Sequence, residues 1–299
     1  MLFELYRAMH INTPLIKSFA MSRGTADVWL KMDALQPSGS FKLRGMGHKA
    51  RREADRGATR FISSSGGNAG LAVAYAGLEL DIPVVVYVPA STGQDTIERL
   101  RLFGAEVIVS GRHWAEAHAA AMETVERNGG TYFHPFDDED VWSGHATLVD
   151  EVAATGLVPD LVVCSVGGGG LLCGIMRGLE RNTLNSAVLA VETEGADSLH
   201  QSRVAGAHVE LPAITSRAKS LGAVRVCDRA YRYLALSSLG DCVVTDEDAE
   251  LACERFLTEH RVKVELACGA TLAAVYARAH RLVEEASTIL VVVCGGVAD

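Results

Sequence analysis

Residues 161–176 read LVVCSVGGGGLLCGIM, four consecutive glycines between two apolar runs. The first run, 161–166, is typical of a buried strand, and the second, 171–176, is typical of a helix. Glycines at such a junction expose backbone N–H groups where the helix dipole also attracts an anion. A flexible linker would instead be flanked by polar residues. We therefore expect the glycine run to bind a phosphate group.

The glycine run does not match either of the two commonest nucleotide motifs. G-x-G-x-x-G is excluded because Leu172 and Cys173 stand where its third glycine is needed. The P-loop pattern is excluded because no lysine follows the run. The phosphate is thus expected to belong to another kind of ligand.

Composition and charge favour a soluble globular protein over a nucleic-acid binder. The chain has 299 residues, of which 48% are hydrophobic and 22% charged, enough for two lobes with a large core. Its formal net charge is -9, and no basic stripe is present. Residues 44–60 contain several Arg and Lys but are interrupted by Glu53 and Asp55, which indicates a solvated helix face.

The cysteines and the N-terminus favour the cytoplasm. Seven cysteines lack the spacing of a zinc site or a disulfide framework, so reduced thiols are expected. Residues 1–7 carry charge where a signal peptide needs an apolar block. The uncharged run 161–176 is too short and too rich in glycine to span a bilayer, so no membrane association is expected.

Short β-branched runs alternate with longer helical patterns along the chain, which predicts an α/β fold. The predicted strands are Val28–Met32, Phe61–Ser64, Val84–Val88, Val107–Val109, Leu161–Val166, Val188–Val191 and Ile289–Val293. The predicted helices are Leu71–Leu80, Trp114–Arg127, Asp246–Glu259 and Leu266–Glu285. Runs such as 84–88 lack alternation, as in parallel strands that helices cover on both faces. An open, doubly wound sheet is expected, with ligands beyond the carboxyl ends of its strands.

Three further segments carry candidate site residues. Residues 37–45, PSGSFKLRG, place Lys42 near the start of a helix, where the dipole favours a reactive neutral amine; alone, it could equally be a surface lysine. Residues 63–70, SSSGGNAG, form a strand-to-helix turn suited either to a carboxylate or to simple N-capping by Ser65 or Asn68. Residues 290–296, LVVVCGG, place Cys294 at a strand end; such a cysteine is commonly inert.

Taken together, the Ser-x-Lys, Ser-Gly-Gly-Asn-Ala-Gly, tetraglycine and Cys-Gly-Gly segments resemble the fold-type II pyridoxal phosphate enzymes. The likeness runs from about Thr13 to Gly296 and is strongest to the serine/threonine dehydratases of the serine dehydratase and serine dehydratase-like branch. It implies two open, twisted parallel-sheet lobes with helices on both faces, similar to the tryptophan synthase β subunit. The implied large domain comprises residues 1–40 and 138–299, and the small domain residues 41–137.

The resemblance also implies a set of site residues. Lys42 would hold pyridoxal phosphate as a Schiff base, Phe41 would lie against its ring, Asn68 would bind its 3'-oxygen and Cys294 would face its pyridine nitrogen. The expected phosphate ligands are Gly167, Gly168, Gly169, Gly170 and Leu171. The expected substrate-binding residues are Ser65, Gly66, Gly67, Asn68, Ala69 and Phe136. A monovalent cation, K⁺, is expected at Glu192 and the carbonyls of Ala196, Leu221 and Ala223.

The implied reaction is deamination of L-serine to pyruvate and of L-threonine to 2-oxobutyrate, with Lys42 as the base for the α-proton. The leaving hydroxide needs an acid, either the cofactor phosphate or the lysine. A thiol such as Cys294, with a pKa of about 8.5, leaves the pyridine neutral, which favours elimination over transamination. Related serine racemases carry a serine where this chain has Gly66, so an L-selective lyase is expected. A homodimer is expected as well.

Other interpretations fit the sequence less well. A cysteine synthase-like enzyme of the same fold would have a Thr-Ser-Gly-Asn turn and a serine facing the ring nitrogen. A noncatalytic cofactor- or phosphate-binding protein would not need Lys42. A hydrolase using Ser65 lacks the G-x-S-x-G elbow. Members of the family usually continue into a further C-terminal helix after the Cys-Gly-Gly segment, whereas this sequence ends at Asp299. It also shows no regulatory domain of the kind found on biosynthetic threonine dehydratases, so the resemblance suggests a catabolic enzyme.

Overall fold

A computed structural model describes residues 8–22 and 26–296 of the chain. Its strands are β1 (Leu15–Lys17), β2 (Asp27–Lys31), β3 (Phe61–Ser63), β4 (Val84–Val88), β5 (Glu106–Val109), β6 (Thr131–Phe133), β7 (Leu161–Ser165), β8 (Ala187–Thr193), β9 (Leu239–Val244) and β10 (Thr288–Val292). Its α-helices are α1 (Lys42–Asp55), α2 (Asn68–Leu80), α3 (Gln94–Leu102), α4 (Trp114–Asn128), α5 (Glu139–Ala154), α6 (Gly170–Arg181), α7 (Ser198–Ala205), α8 (Asp228–Tyr233), α9 (Asp246–His260), α10 (Leu266–Tyr276) and α11 (Arg281–Glu285).

Internal contacts divide the described residues into two compact units. The smaller unit contains the residues up to Asn12, Gln36–Ser38 and Lys42–Pro135. The larger unit contains Thr13–Leu35, Gly39–Phe41 and the chain from Phe136 onward. The family resemblance implies slightly different domain bounds, residues 41–137 for the small domain, and those bounds stay a prediction.

Each unit is built on one open sheet. The larger unit has six strands in the order β1-β2-β10-β7-β8-β9, all parallel except β1, which pairs antiparallel with β2. The smaller unit has four parallel strands in the order β5-β4-β3-β6. Helices cover both faces of the sheets, which confirms the predicted α/β class.

The central strands are buried on both faces. Every residue of β4 and of β7 is buried, as expected for apolar runs without alternation. The core of the larger unit is centred on β7, β8 and β10, where Val162, Val163 and Leu290 are fully inaccessible to solvent. Among the described residues, no helix is both long enough and apolar enough to cross a bilayer.

Strand pairing places the candidate residues of the larger unit at one sheet edge. β7 pairs in parallel with β10 on one side and with β8 on the other. Parallel strands share their direction, so their carboxyl ends lie at the same edge. The glycine run after β7, Cys294 after β10 and Glu192 near the end of β8 are therefore neighbours along that edge.

Two sequence predictions about local structure were wrong, and three strands were missed. The single helix predicted over 266–285 is two helices, because Arg278 adopts a φ of 52° and His280 caps α11 by accepting the amide of Leu282. The short or polar strands β1, β6 and β9 were not predicted. The supposed solvated face of α1 buries Arg44 and Lys49, and the Lys49 ammonium donates to the carbonyl of Tyr132 at 3.0 Å.

Candidate active site

The four glycines connect β7 to α6, which begins at Gly170. Gly169 is the N-cap and has a φ of 92°, a conformation that glycine adopts without steric cost. The amide of Cys173 donates to the carbonyl of Gly169 at 2.9 Å, at the start of the helical hydrogen-bond ladder. The amides that precede Cys173 in the first turn have no intrahelical acceptor. These amides are the donors that the predicted phosphate site requires, and phosphate binding itself stays a prediction.

The surroundings of the glycine run leave no room for side chains. A Cβ on Gly168 would lie 2.3 Å from ring atoms of Phe136, and one on Gly169 would lie 2.5 Å from the Cβ of Ala230. A Cβ on Gly170 would lie 2.7 Å from the carbonyl oxygen of Phe136. That carbonyl also accepts a hydrogen bond from the indole of Trp142 at 2.6 Å. Close packing alone therefore requires glycine at positions 168, 169 and 170.

Phe41 and Cys294 are held together at the end of β10. The amide of Phe41 donates to the carbonyl of Cys294 at 3.0 Å, and Ser40 forms an antiparallel bridge with Gly295. The Phe41 ring is also 4.9 Å, centre to centre, from the ring of the fully buried His145. The contact between His145 and Phe41 joins residues remote in sequence and could not be derived from spacing.

The Cys294 thiol is in an environment that keeps it protonated. Its hydrogen bond with Cys268 and its complete burial raise its pKa well above the ordinary thiol value. The nearby Glu265 carboxylate acts in the same direction. Cys294 therefore offers a neutral thiol rather than a charged group to any ligand at this strand end.

Lys42 is the first residue of α1, and its side chain is half-buried. The ammonium donates to the carbonyl of Pro135 at 2.6 Å, beyond the carboxyl end of β6. Within the smaller unit, the amine thus lies at the edge of the sheet where β3 also ends.

The turn of residues 65–69 follows β3 and leads into α2. The helix begins at Asn68 with Gly67 as its N-cap, so neither Ser65 nor Asn68 is the N-cap residue. The interpretation of this turn as simple capping by those side chains is therefore wrong. Asn68 and Ala69 are buried, whereas Gly67 is exposed. The Ser64 hydroxyl, 2.7 Å from the hydroxyl of Tyr132, anchors the strand end just before the turn.

Glu192 is buried in the larger unit, and its two carboxylate oxygens accept the amides of Leu199 and His200 at 2.9 and 2.8 Å. Burial raises its pKa to about 8, although the two amide hydrogen bonds act to lower it. Ala196 lies in the turn after β8, where its amide donates to the carbonyl of Thr193 at 2.9 Å.

The remaining candidate cation ligands lie near the glycine run. Leu221 packs behind it, because a Cβ on Gly167 would be 3.0 Å from the Leu221 Cα. The carbonyl of Leu221 also accepts the amide of Ala223 at 2.7 Å. Among residues 8–22 and 26–296, no three His, Cys, Asp or Glu side chains are grouped closely enough to hold a metal ion.

The structure thus forms two groups of predicted site residues, one in each unit. In the larger unit, the glycine run, Leu171, Phe136 and Leu221 pack around the start of α6, and Phe41 and Cys294 pair at the neighbouring strand end. In the smaller unit, Lys42 and the turn of residues 65–69 lie beyond the carboxyl ends of adjacent strands. Trp142, which holds the Phe136 carbonyl, was not predicted.

Residues 7–295 match the family model described as "Pyridoxal-phosphate dependent enzyme". The chain belongs to this family. It is 43% identical to the human (Homo sapiens) L-serine dehydratase/L-threonine deaminase, across 96% of this chain and 91% of that protein. It is 41% identical to the human serine dehydratase-like protein, across 96% and 90%. The structure of an L-serine ammonia-lyase from the fungus Rhizomucor miehei is similar, with a TM-score of 0.90, 31% identity and coverage of 97% and 95%.

The residues present fit the phosphate group of pyridoxal phosphate, the cofactor of this family. A phosphate needs several backbone N–H donors on one side of a surface free of side chains. Gly167 to Gly170 supply this surface at the start of α6, with no Cβ tolerated at Gly168, Gly169 or Gly170. The first turn of α6 also contains no acidic side chain that would repel the phosphate.

Proposed function

We propose that this protein releases ammonia from L-serine to give pyruvate and from L-threonine to give 2-oxobutyrate. The observation that carries this proposal is the identity of 41–43% with proteins named as serine dehydratases or threonine deaminases, across nine-tenths or more of both chains. The glycine run, Lys42 and Cys294 all lie within the aligned family region. No observation favours a β-replacement enzyme or a noncatalytic protein.

The central role belongs to Lys42. When bound, pyridoxal phosphate supplies an aldehyde for covalent attachment of amines and an electron-accepting ring. Lys42 would hold the cofactor covalently through its Nζ, and the same amine, when free, would accept the α-proton of the substrate. The half-buried position of Lys42 at the start of α1, with its ammonium beyond the carboxyl end of β6, supports this assignment.

Further residues hold the cofactor in this proposal. Gly167, Gly168, Gly169, Gly170 and Leu171 bind its phosphate. Phe41 lies against its ring, and Cys294 offers a neutral thiol to its pyridine nitrogen. Asn68, which is buried at the start of α2, binds its 3'-oxygen.

The substrate carboxylate is assigned to the start of α2. Amides at a helix N-terminus bind carboxylates through their free N–H groups and the helix dipole. The assigned residues are Ser65, Gly66, Gly67, Asn68 and Ala69, together with Phe136. In this proposal the small domain, residues 41–137, supplies Lys42 and this turn. The large domain, residues 1–40 and 138–299, supplies the phosphate site and Cys294.

We also propose a K⁺ ion bound by Glu192 and the carbonyls of Ala196, Leu221 and Ala223. A bound cation would compensate the cost of burying the Glu192 carboxylate, which its raised pKa reflects. A homodimer in the cytoplasm completes the proposal. All seven cysteines are free thiols, in keeping with a reducing compartment.

The proposal is tested by purifying the protein with pyridoxal phosphate and measuring 2-oxoacid and ammonia from L-serine and from L-threonine. We expect one ammonia for each pyruvate or 2-oxobutyrate formed. A parallel assay with O-acetylserine and sulfide tests β-replacement. Cysteine formation that exceeds pyruvate formation from L-serine, or no ammonia from either amino acid, would contradict the proposed function.

A further inference from the structure

Two thiols lie against each other behind the glycine run. The Sγ atoms of Cys173 and Cys227 are 3.7 Å apart, and both side chains are buried. Cys173 is in the first turn of α6, and Cys227 directly precedes α8. The two residues are distant in sequence, so their contact results from packing in the larger unit. The proposed deamination makes no use of either thiol.

Both cysteines are hydrogen-bonded to the glycine run through their backbone. The amide of Cys173 donates to the carbonyl of Gly169 at 2.9 Å, and that of Cys227 donates to the carbonyl of Gly168 at 3.0 Å. A Cβ on Gly169 would lie 3.4 Å from the Sγ of Cys227. The backbone of both cysteines is therefore bonded to the two central glycines of the proposed phosphate site, and the Cys227 thiol lies next to Gly169.

The two thiols differ in acidity in a way that suits thiol chemistry. The contact of Cys227 with the Cys173 thiol and with the amides of Ala230 and Arg229 lowers its pKa, although burial and the Asp137 carboxylate act to raise it. By contrast, burial raises the pKa of Cys164 and of Cys253 to about 12. The thiolate is the reactive form of cysteine. Cys227 is thus suited to attack, and Cys173 is in contact with it to resolve the product.

We propose that Cys173 and Cys227 are a redox-active dithiol that hydroperoxides convert to a disulfide, and that this disulfide weakens cofactor binding. In the first step the Cys227 thiolate attacks a peroxide oxygen, so that an S–O bond forms, the O–O bond breaks and an alcohol or water leaves. In the second step the Cys173 sulfur attacks the resulting sulfenic acid, so that the S–S bond forms and water leaves. Two thiols are oxidised while one hydroperoxide is reduced.

The disulfide affects the phosphate site through geometry. An S–S bond is about 2.05 Å long, so the two sulfurs must move about 1.6 Å closer than their present 3.7 Å separation. Rotation of the two side chains provides part of this approach, and we infer that movement of the backbone at Cys173 and Cys227 provides the rest. Each backbone amide is bonded to a carbonyl of the glycine run, so the run is displaced with them. This second half of the proposal rests on the proposed phosphate role of the glycine run.

The experiment treats the holoenzyme with hydrogen peroxide, alkylates the remaining thiols and maps the peptides by mass spectrometry. We expect a Cys173–Cys227 cross-linked peptide and several-fold weaker retention of pyridoxal phosphate on gel filtration. Treatment with dithiothreitol should remove the cross-link and restore retention of the cofactor. Cys268 and Cys294 are a second pair of neighbouring thiols, so the map must distinguish the two pairs. A cross-link between Cys268 and Cys294 alone, or none at all, would overturn the proposal.

Two variants complete the test. Cys173→Ser removes the resolving thiol, so we expect no cross-link and unchanged cofactor retention under peroxide. Cys242→Ser, in β9, removes a buried thiol of raised pKa and is expected to respond like the wild type. If Cys173→Ser does not fold, the wild-type peptide map still decides whether the disulfide forms. A cross-link that leaves cofactor retention unchanged would refute the claim that the disulfide weakens cofactor binding. A reduced protein that never binds pyridoxal phosphate would contradict the proposed phosphate site instead.

Discussion

The backbone amide of Phe41 donates a hydrogen bond to the carbonyl of Cys294 at 3.0 Å. The pairing extends on both sides, with Ser40 bridged to Gly295 and the amide of Gly296 donating to the carbonyl of Gly39 at 2.9 Å. The residue that precedes Lys42 is thereby fixed to the end of β10. Two proposed cofactor contacts far apart in sequence, Phe41 and Cys294, thus have their relative positions set by the backbone.

Replacing Cys294 with Asp should change the products. The buried thiol keeps its proton and gives the proposed pyridine contact no negative charge, whereas a carboxylate would support protonation of the ring and increase its capacity as an electron acceptor. We expect Cys294→Asp to lower pyruvate formation from L-serine about tenfold or more and to raise the share of hydroxypyruvate, the transamination product. Chromatographic quantification of both 2-oxoacids checks this. The neutral variant Cys294→Ser is the control, and an unchanged product ratio in Cys294→Asp counts against the role.

Adding one methyl group to the glycine run should weaken cofactor binding. In Gly168→Ala the new Cβ would lie 2.3 Å from the Phe136 ring, whose backbone carbonyl is held by Trp142. The clash must displace either the ring or the phosphate-binding backbone. We expect the Kd for pyridoxal phosphate to rise at least about tenfold, or about 1.4 kcal/mol, as measured by titration of the apoenzyme.

Gly93→Ala provides the matched control for that titration. Gly93 precedes α3, and a Cβ there would meet no atom within 4 Å. We expect its cofactor affinity to equal that of the wild type. Equal affinity in Gly168→Ala and Gly93→Ala would show that the packing around the run does not determine cofactor binding.

Gly66 should make the enzyme selective for elimination over racemisation. The residue has no side chain to deliver a proton to the substrate α-carbon, so we expect L-serine to give pyruvate with little D-serine. Chiral chromatography of the reaction mixture measures this ratio. In Gly66→Ser the ratio of D-serine to pyruvate should rise, although the new Cβ would lie 3.0 Å from Val88 and 3.2 Å from Thr92. D-serine accumulating in the wild type as fast as pyruvate would contradict the prediction.

Activity should depend on the monovalent cation. Because Glu192 is buried and both its oxygens accept amides, a cation of matching size should stabilise its charged form. We expect several-fold higher activity in KCl than in LiCl at equal ionic strength. Glu192→Gln should lose this difference, whereas Glu194→Gln, at an exposed neighbouring position, should keep it. Equal activity in both salts would argue against a cation at Glu192.

Elements defined by local pattern could be predicted from the sequence. The uninterrupted apolar runs at 84–88 and 161–166 correspond to β4 and β7, because strands buried on both faces need apolar residues throughout. β9 was missed since Gly240 and Asp241 interrupt its apolar character. The break between α10 and α11 depends on the left-handed conformation of Arg278, which has no signature in residue type.

The sequence indicated candidate site residues where backbone chemistry marks them, but it did not indicate the contacts that depend on packing. The glycine run indicated a phosphate site because only glycine leaves the backbone so accessible. The contacts of Phe136 with Gly168 and of Cys173 with Cys227 join residues remote in sequence. Only the arrangement of helices around the sheet brings them together, and no spacing in one sequence records it.

The most direct test of the central claim is to reduce the pyridoxal phosphate-loaded protein with borohydride and locate the fixed label by peptide mapping. We predict that the label is on Lys42. Lys49 of the same helix, whose ammonium is bonded to the carbonyl of Tyr132, should carry no label. Ammonia release should fall by about 100-fold or more in Lys42→Ala. A label on another lysine, or ammonia release that survives in Lys42→Ala, would contradict the account.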